Sequence, residues 1–382
     1  MATEATDKTG MASFHFMPWL RLQEPYSVGE SRLIPWHTDN PPQEFNSYER
    51  EKVHSILSSY KSPNREPVRH FTVARFADHQ LFADLNQAQR EYLWDSVCLA
   101  CLSGLAAREY LINDDPYCNA DCFLIHGQRF PERVGHLLGT SLFTVRCGQL
   151  VLSYQSLKDV SFFEPRHVSQ VAAVTLDGAL LAGLARFRDT KLKGQGGSWA
   201  RWRDAIVCFN RANTDSTDYV LWQADWVLLC SAFQRLLDAG RRSEAVAEKF
   251  TACFVPANYP LPIDTGLLRE WQGDFQTLRG KFYAHGVLKS PATSDYGVRH
   301  LPLAIVAFPL LVRVLLNKEG AYRLSDGDLC AIAAFGELLK IAKDPPHDGS
   351  VLSWRGLVAN QRLSLASARA AEELAGSQRP KD

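Results

Sequence analysis

The 382-residue chain has no excess of charge of either sign: 42 basic side chains balance 42 acidic ones. A protein that coats long nucleic acid through bulk electrostatics is basic overall. Any nucleic-acid contact here must therefore come from a local patch. Long hydrophobic runs are also missing. The longest, Leu301 to Val312, is interrupted by Pro309 and followed by Arg313, which is too short for a membrane span and suits a buried helix. No basic segment followed by an apolar one opens the chain, so no secretion signal is expected. The nine cysteines are odd in number and scattered, several within apolar runs such as LLCSAF. Without a paired framework they read as reduced core thiols of a cytoplasmic protein.

What is present suffices for real cores. A hydrophobic share of 46% and a charged share of 22% are those of a globular protein, and the length allows two domains. Disorder is expected only at the small, polar ends, MATEATDKTGMA and GSQRPKD. Up to about residue 185 the texture is mixed. The apolar segments FHFMPWLRL, FTVARFA, CFLIHGQRF and SLFTVRCGQLVLSY have strand length, and the last two suit neighbouring strands. One long helix, Gln87 to Leu111, interrupts them, with Tyr92, Leu93, Val97, Leu99 and Leu102 at helical spacing.

From about residue 200 the strand signal disappears. Helices are predicted at Trp202–Ala212, Tyr219–Ala239, Ser243–Phe254, Gly266–His285, His300–Asn317, Leu329–Ala342 and Trp354–Ala375. Gly240, Gly286 and Gly320 stand just past three of these ends as helix stops. The fold class is thus α+β: a mixed α+β domain over residues 1–190, a Gly/Lys-rich hinge over 191–200, and an all-α bundle over 201–382.

Between the halves, ARFRDTKLKGQGGSWARWRD concentrates Arg186, Arg188, Lys191, Lys193, Arg201 and Arg203. Two readings apply. Trp199 and Trp202 can stack on bases beside these charges, or the tryptophans pack back on the core beneath a solvated linker.

Cys98-x-x-Cys101 with Cys118-x3-Cys122 has the spacing of a four-cysteine zinc site. Its first half, however, lies in the apolar helix WDSVCLACLSGLAA, without the Gly or Pro turn of a metal knuckle. KGQGGS lacks the ending of a phosphate loop. His37, His70, His126 and His136 are isolated and read as structural.

The most informative segment is LLREWQGDFQTLRGKFYAHG, Leu267 to Gly286. Leu268, Trp271, Phe275, Leu278 and Phe282 form one apolar stripe at steps of three and four. Arg279 and His285 fall at opposite borders of that stripe. His285 would occupy the last turn, where the C-terminal dipole favours a protonated imidazole.

Arg279-Gly-Lys-Phe-Tyr-Ala-His285 resembles the signature of HEPN domains, an arginine and a histidine four to six residues apart near the end of a long helix. DAIVCFNRANTDSTDYVLWQADWVLLCSAFQRLLDA is similar to the helical opening of the ApeA-like branch, and RGKFYAHG follows at a matching distance. The likeness spans roughly residues 200–340. Gly280 stands where many members have a polar residue, and Gln234 where the first long helix often has a glutamate.

The resemblance implies an HEPN-type helical bundle and a metal-independent endoribonuclease with no cofactor, in which Arg279 and His285 are catalytic. It also implies a homodimer whose two motifs meet, and a role as a toxin or anti-phage effector. RNA contacts are expected from Lys281, Tyr283, Arg201 and Arg203. The N-terminal domain would sense a phage or regulatory protein, with no membrane partner. The alternative is a non-catalytic HEPN-like module for dimerisation or for RNA or protein binding.

Overall fold

The computed structural model describes residues 10–107, 119–133, 136–137, 141–146, 149–153, 161–164, 173–193, 198–214, 222–240, 242–255, 263–284, 296, 299–345 and 354–377. For residues 10–11, 129–153, 222–223, 280–284 and 372–377 only the backbone course within these spans is considered. The chain divides into two compact units, Met1–Ala107 with Pro116–Ala185, and Arg108–Asp115 with Arg186–Asp382.

The first unit is built on an antiparallel sheet. Its strands are β1 (Gly10–Met17), β2 (Tyr26–Val28), β3 (Ser31–His37), β5 (His70–Phe76), β6 (His126–Arg133), β7 (His136–Leu137), β8 (Ser141–Arg146) and β9 (Gln149–Ser153). They run in the order β2-β3-β5-β1-β6-β8-β9, with β7 paired to β6. Strands β4 (Tyr60–Lys61) and β10 (Phe162–Phe163) form a separate parallel pair. The expected strand neighbours CFLIHGQRF and SLFTVRCGQLVLSY do pair, as β6 and β8, with His126 opposite Thr144. Strand β1 lies centrally, and Ala12 to Met17 are all buried. An alternating pattern is therefore replaced by a continuous buried one, as in sheets covered on both faces.

Three sequence expectations needed correcting here. The N-terminal polar stretch was expected to be disordered through residue 12, yet Gly10–Ala12 extend β1 and pair with Glu132, Pro131 and Phe130. At the other end Gly376 and Ser377 belong to the last helix. Cys122 and Phe123, expected in a strand, form a short 3-10 turn instead, with the Asn119 side chain accepting from the Asp121 N–H.

Several elements escaped notice, among them β2, β3, β4, β10 and the helices over Ser47–Leu57 and Gly178–Lys193. Strand β3 contains Pro35, a residue that demotes a strand reading. It is tolerated because β2 covers only Ser31 to Leu33, so Pro35 has β5 alone as a neighbour. Helix α1 (Ser47–Leu57) is started by a capping box, Asn46 with Glu49, each side chain bonding the other's backbone N–H. Helix α2 is described over Gln87–Ala107, and the remainder of the expected span, to Leu111, lies among residues 108–118, outside the described ones.

The helical elements that follow are α3 (Gly178–Lys193), α4 (Ser198–Arg211), α5 (Trp222–Leu236), α6 (Ser243–Cys253), α7 (Thr265–Ala284), α8 (His300–Lys318), α9 (Asp326–Lys343) and α10 (Trp354–Ser377). Of the residues assigned to the hinge, 191–193 close α3, 198–200 open α4, and 194–197 lie outside the described ones. Helix α3 begins where Asp177 accepts from the Leu180 N–H. Leu180, Leu181, Leu184, Phe187 and Arg188 are buried along it at helical spacing.

The core of the second unit is aromatic. Phe233 on α5 touches Phe250, Trp271, Phe275 and Phe308 edge-on, with centroids 5.5–6.4 Å apart. Phe209 on α4 stacks on Phe308 at 4.5 Å. Such pairs each contribute about 1 kcal/mol beyond the area they bury, so the network fixes the crossing of α5, α7 and α8. Helix α8 is long and apolar enough to cross a membrane, yet two-thirds of that stretch is buried within the protein (67%). Its Arg313 pairs at 3.1 Å with Asp328. Gly320 ends it in the left-handed region at φ 71°, with the Ala321 N–H returning to the Leu316 carbonyl, the geometry for which glycine is suited.

Candidate functional site

The candidate site is built on α5 and α7. The apolar stripe expected on α7 is present: Leu268, Trp271 and Phe275 are fully buried and Leu278 nearly so. Phe282 lies on the same helix, with a side chain outside the described residues. Residues four apart on a helix share a face, so Arg279 follows Phe275 along the edge facing α5. On α5 the matching row is Trp226, Cys230 and Gln234. Trp226 Nε1–H donates to the Phe275 carbonyl at 3.1 Å. The Cys230 thiol approaches that carbonyl at 3.8 Å. Burial pushes this thiol up, and the nearby Arg279 charge opposes the shift only in part. Cys230 is fully buried, as a core thiol is.

Arg279 is half-buried and its Nη1–H donates to Gln234 Oε1 at 2.7 Å. Gln234 in turn lies 3.5 Å from Gln276 Oε1 through its Nε2. The group that faces the arginine is thus the neutral amide of Gln234.

The end of α5 is set differently from the expectation. Gly240 was predicted as its stop, but the left-handed residue is Asp238, at φ 49°. The Ala239 N–H reaches back to the Gln234 carbonyl at 3.0 Å, closing the helix two residues earlier. Aspartate tolerates this region because its short side chain bonds locally. Gly286 lies outside the described residues.

The expected site residues are distributed as follows. Arg279 stands in the α5–α7 crossing. His285 lies outside the described residues, and Lys281 and Tyr283 are on α7 with side chains outside them. Arg201 pairs with Asp238 at 2.7 Å, so it braces the turn that ends α5. Arg203 is half-buried on α4.

Much of the basic patch is engaged within the protein. Arg186 donates to the Ala321 carbonyl, Arg188 pairs with Asp189 and Lys191 with Glu319. Trp199 and Trp202 are 6% and 4% exposed, with Trp202 against Phe187 at 4.3 Å. They offer no face for base stacking, so the packing reading of the linker tryptophans holds.

Two neighbours of the site were missed. His300, first in α8 and fully buried, places Nε2 3.2 Å from Asp274 Oδ2 on α7. Its ring lies against Trp226 and Phe275, 5.2 and 5.8 Å between centroids. A histidine at the mouth of an apolar run gave no sign of a partner 26 positions earlier. Asp225, half-buried at the start of α5, has its carboxyl raised to about 6 by burial.

Among the described residues no three of His, Cys, Asp and Glu converge as metal ligands. Of the considered cysteines, Cys101 and Cys122 are buried and Cys98 is half-buried, while Cys118 lies outside the described residues. His37 and His70 face each other across β3 and β5, and His126 is buried in the sheet.

Chemically, the arrangement presents one fixed guanidinium, oriented by an amide, on α7. A guanidinium so placed can hold a phosphodiester through two parallel N–H bonds. Compared with family models, with known proteins and with solved structures, the chain matches none.

Proposed function

We propose that the second unit is a HEPN-type endoribonuclease that cuts RNA without a metal ion, as a toxin or anti-phage effector. The observation that carries this reading is Arg279, held at 2.7 Å by Gln234 at the crossing of α5 and α7. The ribose 2′-OH attacks the adjacent phosphorus, leaving a 2′,3′-cyclic phosphate and a 5′-OH. His285 moves the proton, a task suited to a group titrating near neutrality. Arg279 faces the charge that develops on the phosphorane. Residues six apart on an ideal helix are displaced by about 9 Å along the axis and about 120° around it. One copy therefore gives a spread pair, and a homodimer joining two copies gives a compact site. The first unit would sense a phage or regulatory protein.

A non-catalytic HEPN-like module for dimerisation or binding is the second reading. The burial of Trp199 and Trp202, which takes away a base-stacking platform, favours it. Incubating the purified protein with total RNA and tRNA in EDTA separates the two: the first reading expects cutting by wild type and none by His285→Ala.

A further inference from the structure

An arginine has donors only, so the atom of Gln234 facing Arg279 must be its oxygen. That choice turns the Gln234 amide nitrogen toward Gln276, whose oxygen lies 3.5 Å away, at the outer limit of a hydrogen bond. The order is thus Arg279 to Gln234 to Gln276, with every donor aimed one way. Gln276 is 3% exposed and sits three residues before Arg279 on the same helix, with its own amide nitrogen buried and without a partner among the described residues. The near end is anchored by the backbone. The Gln234 carbonyl receives the Ala239 N–H at 3.0 Å, and the left-handed Asp238 that permits this is paired with Arg201. Among the described residues, none of the ion pairs includes Arg279, although Asp204–Arg235 and Arg201–Asp238 pairs form nearby in sequence.

We infer that Gln234 is a positioning residue for Arg279, and that its neutral amide leaves the full guanidinium charge available to an RNA phosphodiester. A carboxylate at the same position would orient the arginine as well or better, through charge-assisted and bidentate bonds. It would also cancel the charge the anion needs. The amide separates the two effects, because it fixes direction and adds no charge. This inference rests on the proposed RNA-cleaving reading for the nature of the anion.

The test uses a single-stranded 2′-O-methyl oligoribonucleotide, which binds but has no attacking hydroxyl. Its affinity for the full-length protein is followed by fluorescence anisotropy across a salt series. Each phosphate contact on a single strand contributes about 0.7 to the slope of log K against log salt, which is roughly fivefold in affinity at about 0.1 M salt. Gln234→Glu is expected to weaken binding roughly fivefold and flatten the slope by about 0.7, as Arg279→Ala does. Gln234→Leu, which frees the arginine without neutralising it, is expected to keep the wild-type slope, with Kd within about twofold.

On a cleavable strand the two variants should split, Gln234→Leu losing kcat and Gln234→Glu raising KM. Equal slopes for Gln234→Glu and Gln234→Leu would overturn the inference, as would an Arg279→Ala protein with the wild-type slope. A Gln234→Glu protein that fails to fold would also overturn it, since a carboxylate beside Arg279 should hold the crossing at least as well. The binding results stand whether or not the protein cuts RNA, so a failure of the nuclease reading is told apart by the cleavage assay.

Discussion

His126 offers a linkage experiment on the first unit. The residue is 4% exposed on β6, ringed by Phe16, Trp19, Tyr60 and Phe162 with centroids 5.4–6.4 Å away. Its Nδ1 lies 3.1 Å from the Tyr60 hydroxyl. Burial lowers its pKa to about 4 from the ordinary 6.5. The folded state therefore binds fewer protons than the unfolded chain between those values. Stability is fully present above about pH 6.5, is lost as the pH falls, and levels off below about pH 4.

The difference between 6.5 and about 4 corresponds to roughly 3 kcal/mol, a large fraction of an ordinary domain's stability. His126→Gln keeps a hydrogen-bonding group for Tyr60 but cannot take up a proton in this range. Urea unfolding of both proteins from about pH 7.5 to pH 4.5 should show the stability difference, wild type minus variant, falling by roughly 2 to 3 kcal/mol. The ring proton resonance of His126 should stay that of the neutral form down to about pH 5. A resonance titrating near 6.5, or parallel acid profiles for the two proteins, would refute the reasoning.

Asp225 should behave in the opposite sense. Its raised carboxyl makes the folded state lose stability as pH climbs from about 3.8 through about 6. Asp225→Asn should stabilise the protein by about 1 kcal/mol at pH 7.5, discounted for half-exposure, with little gain at pH 4.5. If His285 acts in the proposed cleft, His285→Ala should abolish cutting and toxicity while moving Tm by no more than a few degrees, because a cleft residue contributes little packing, about 0.5 kcal/mol or less. A large Tm loss without specific loss of activity would assign the histidine to helix capping. Mixing Arg279→Ala and His285→Ala chains should restore part of the activity if the site is composite. A fully active monomer in sedimentation would rule that out.

How much was legible differs between the units. From α4 onward the helices of the second unit announced themselves through long stretches of 3.6-residue periodicity, whereas α3 was hidden in what looked like a basic hinge. Leu268, Trp271, Phe275 and Leu278 on α7 are the clearest case. Strand β3 was hidden by Pro35, because the sequence does not say that β2 ends before reaching it. The cap of α1, Asn46 with Glu49, was written in the sequence and passed over.

At the candidate site, the place of Arg279 at the border of the apolar stripe of α7 was legible from its spacing. The amide chain through Gln234 and Gln276 was not, because it depends on the rotation of α5 against α7. The same holds for the Asp274–His300 contact. The basic linker misled for a related reason: Lys191, Arg186 and Arg201 look unpaired in sequence, and find Glu319, the Ala321 carbonyl and Asp238 only in the fold.

The central claim is a metal-independent RNA cut by Arg279 and His285, and the ends of the cut RNA test it most directly. Purified protein is incubated with tRNA in excess EDTA and the new termini are identified. The account expects 2′,3′-cyclic phosphates and 5′-hydroxyls from wild type, and none from Arg279→Ala or His285→Ala. Cutting that requires added divalent metal, or that leaves 5′-phosphates, would contradict it.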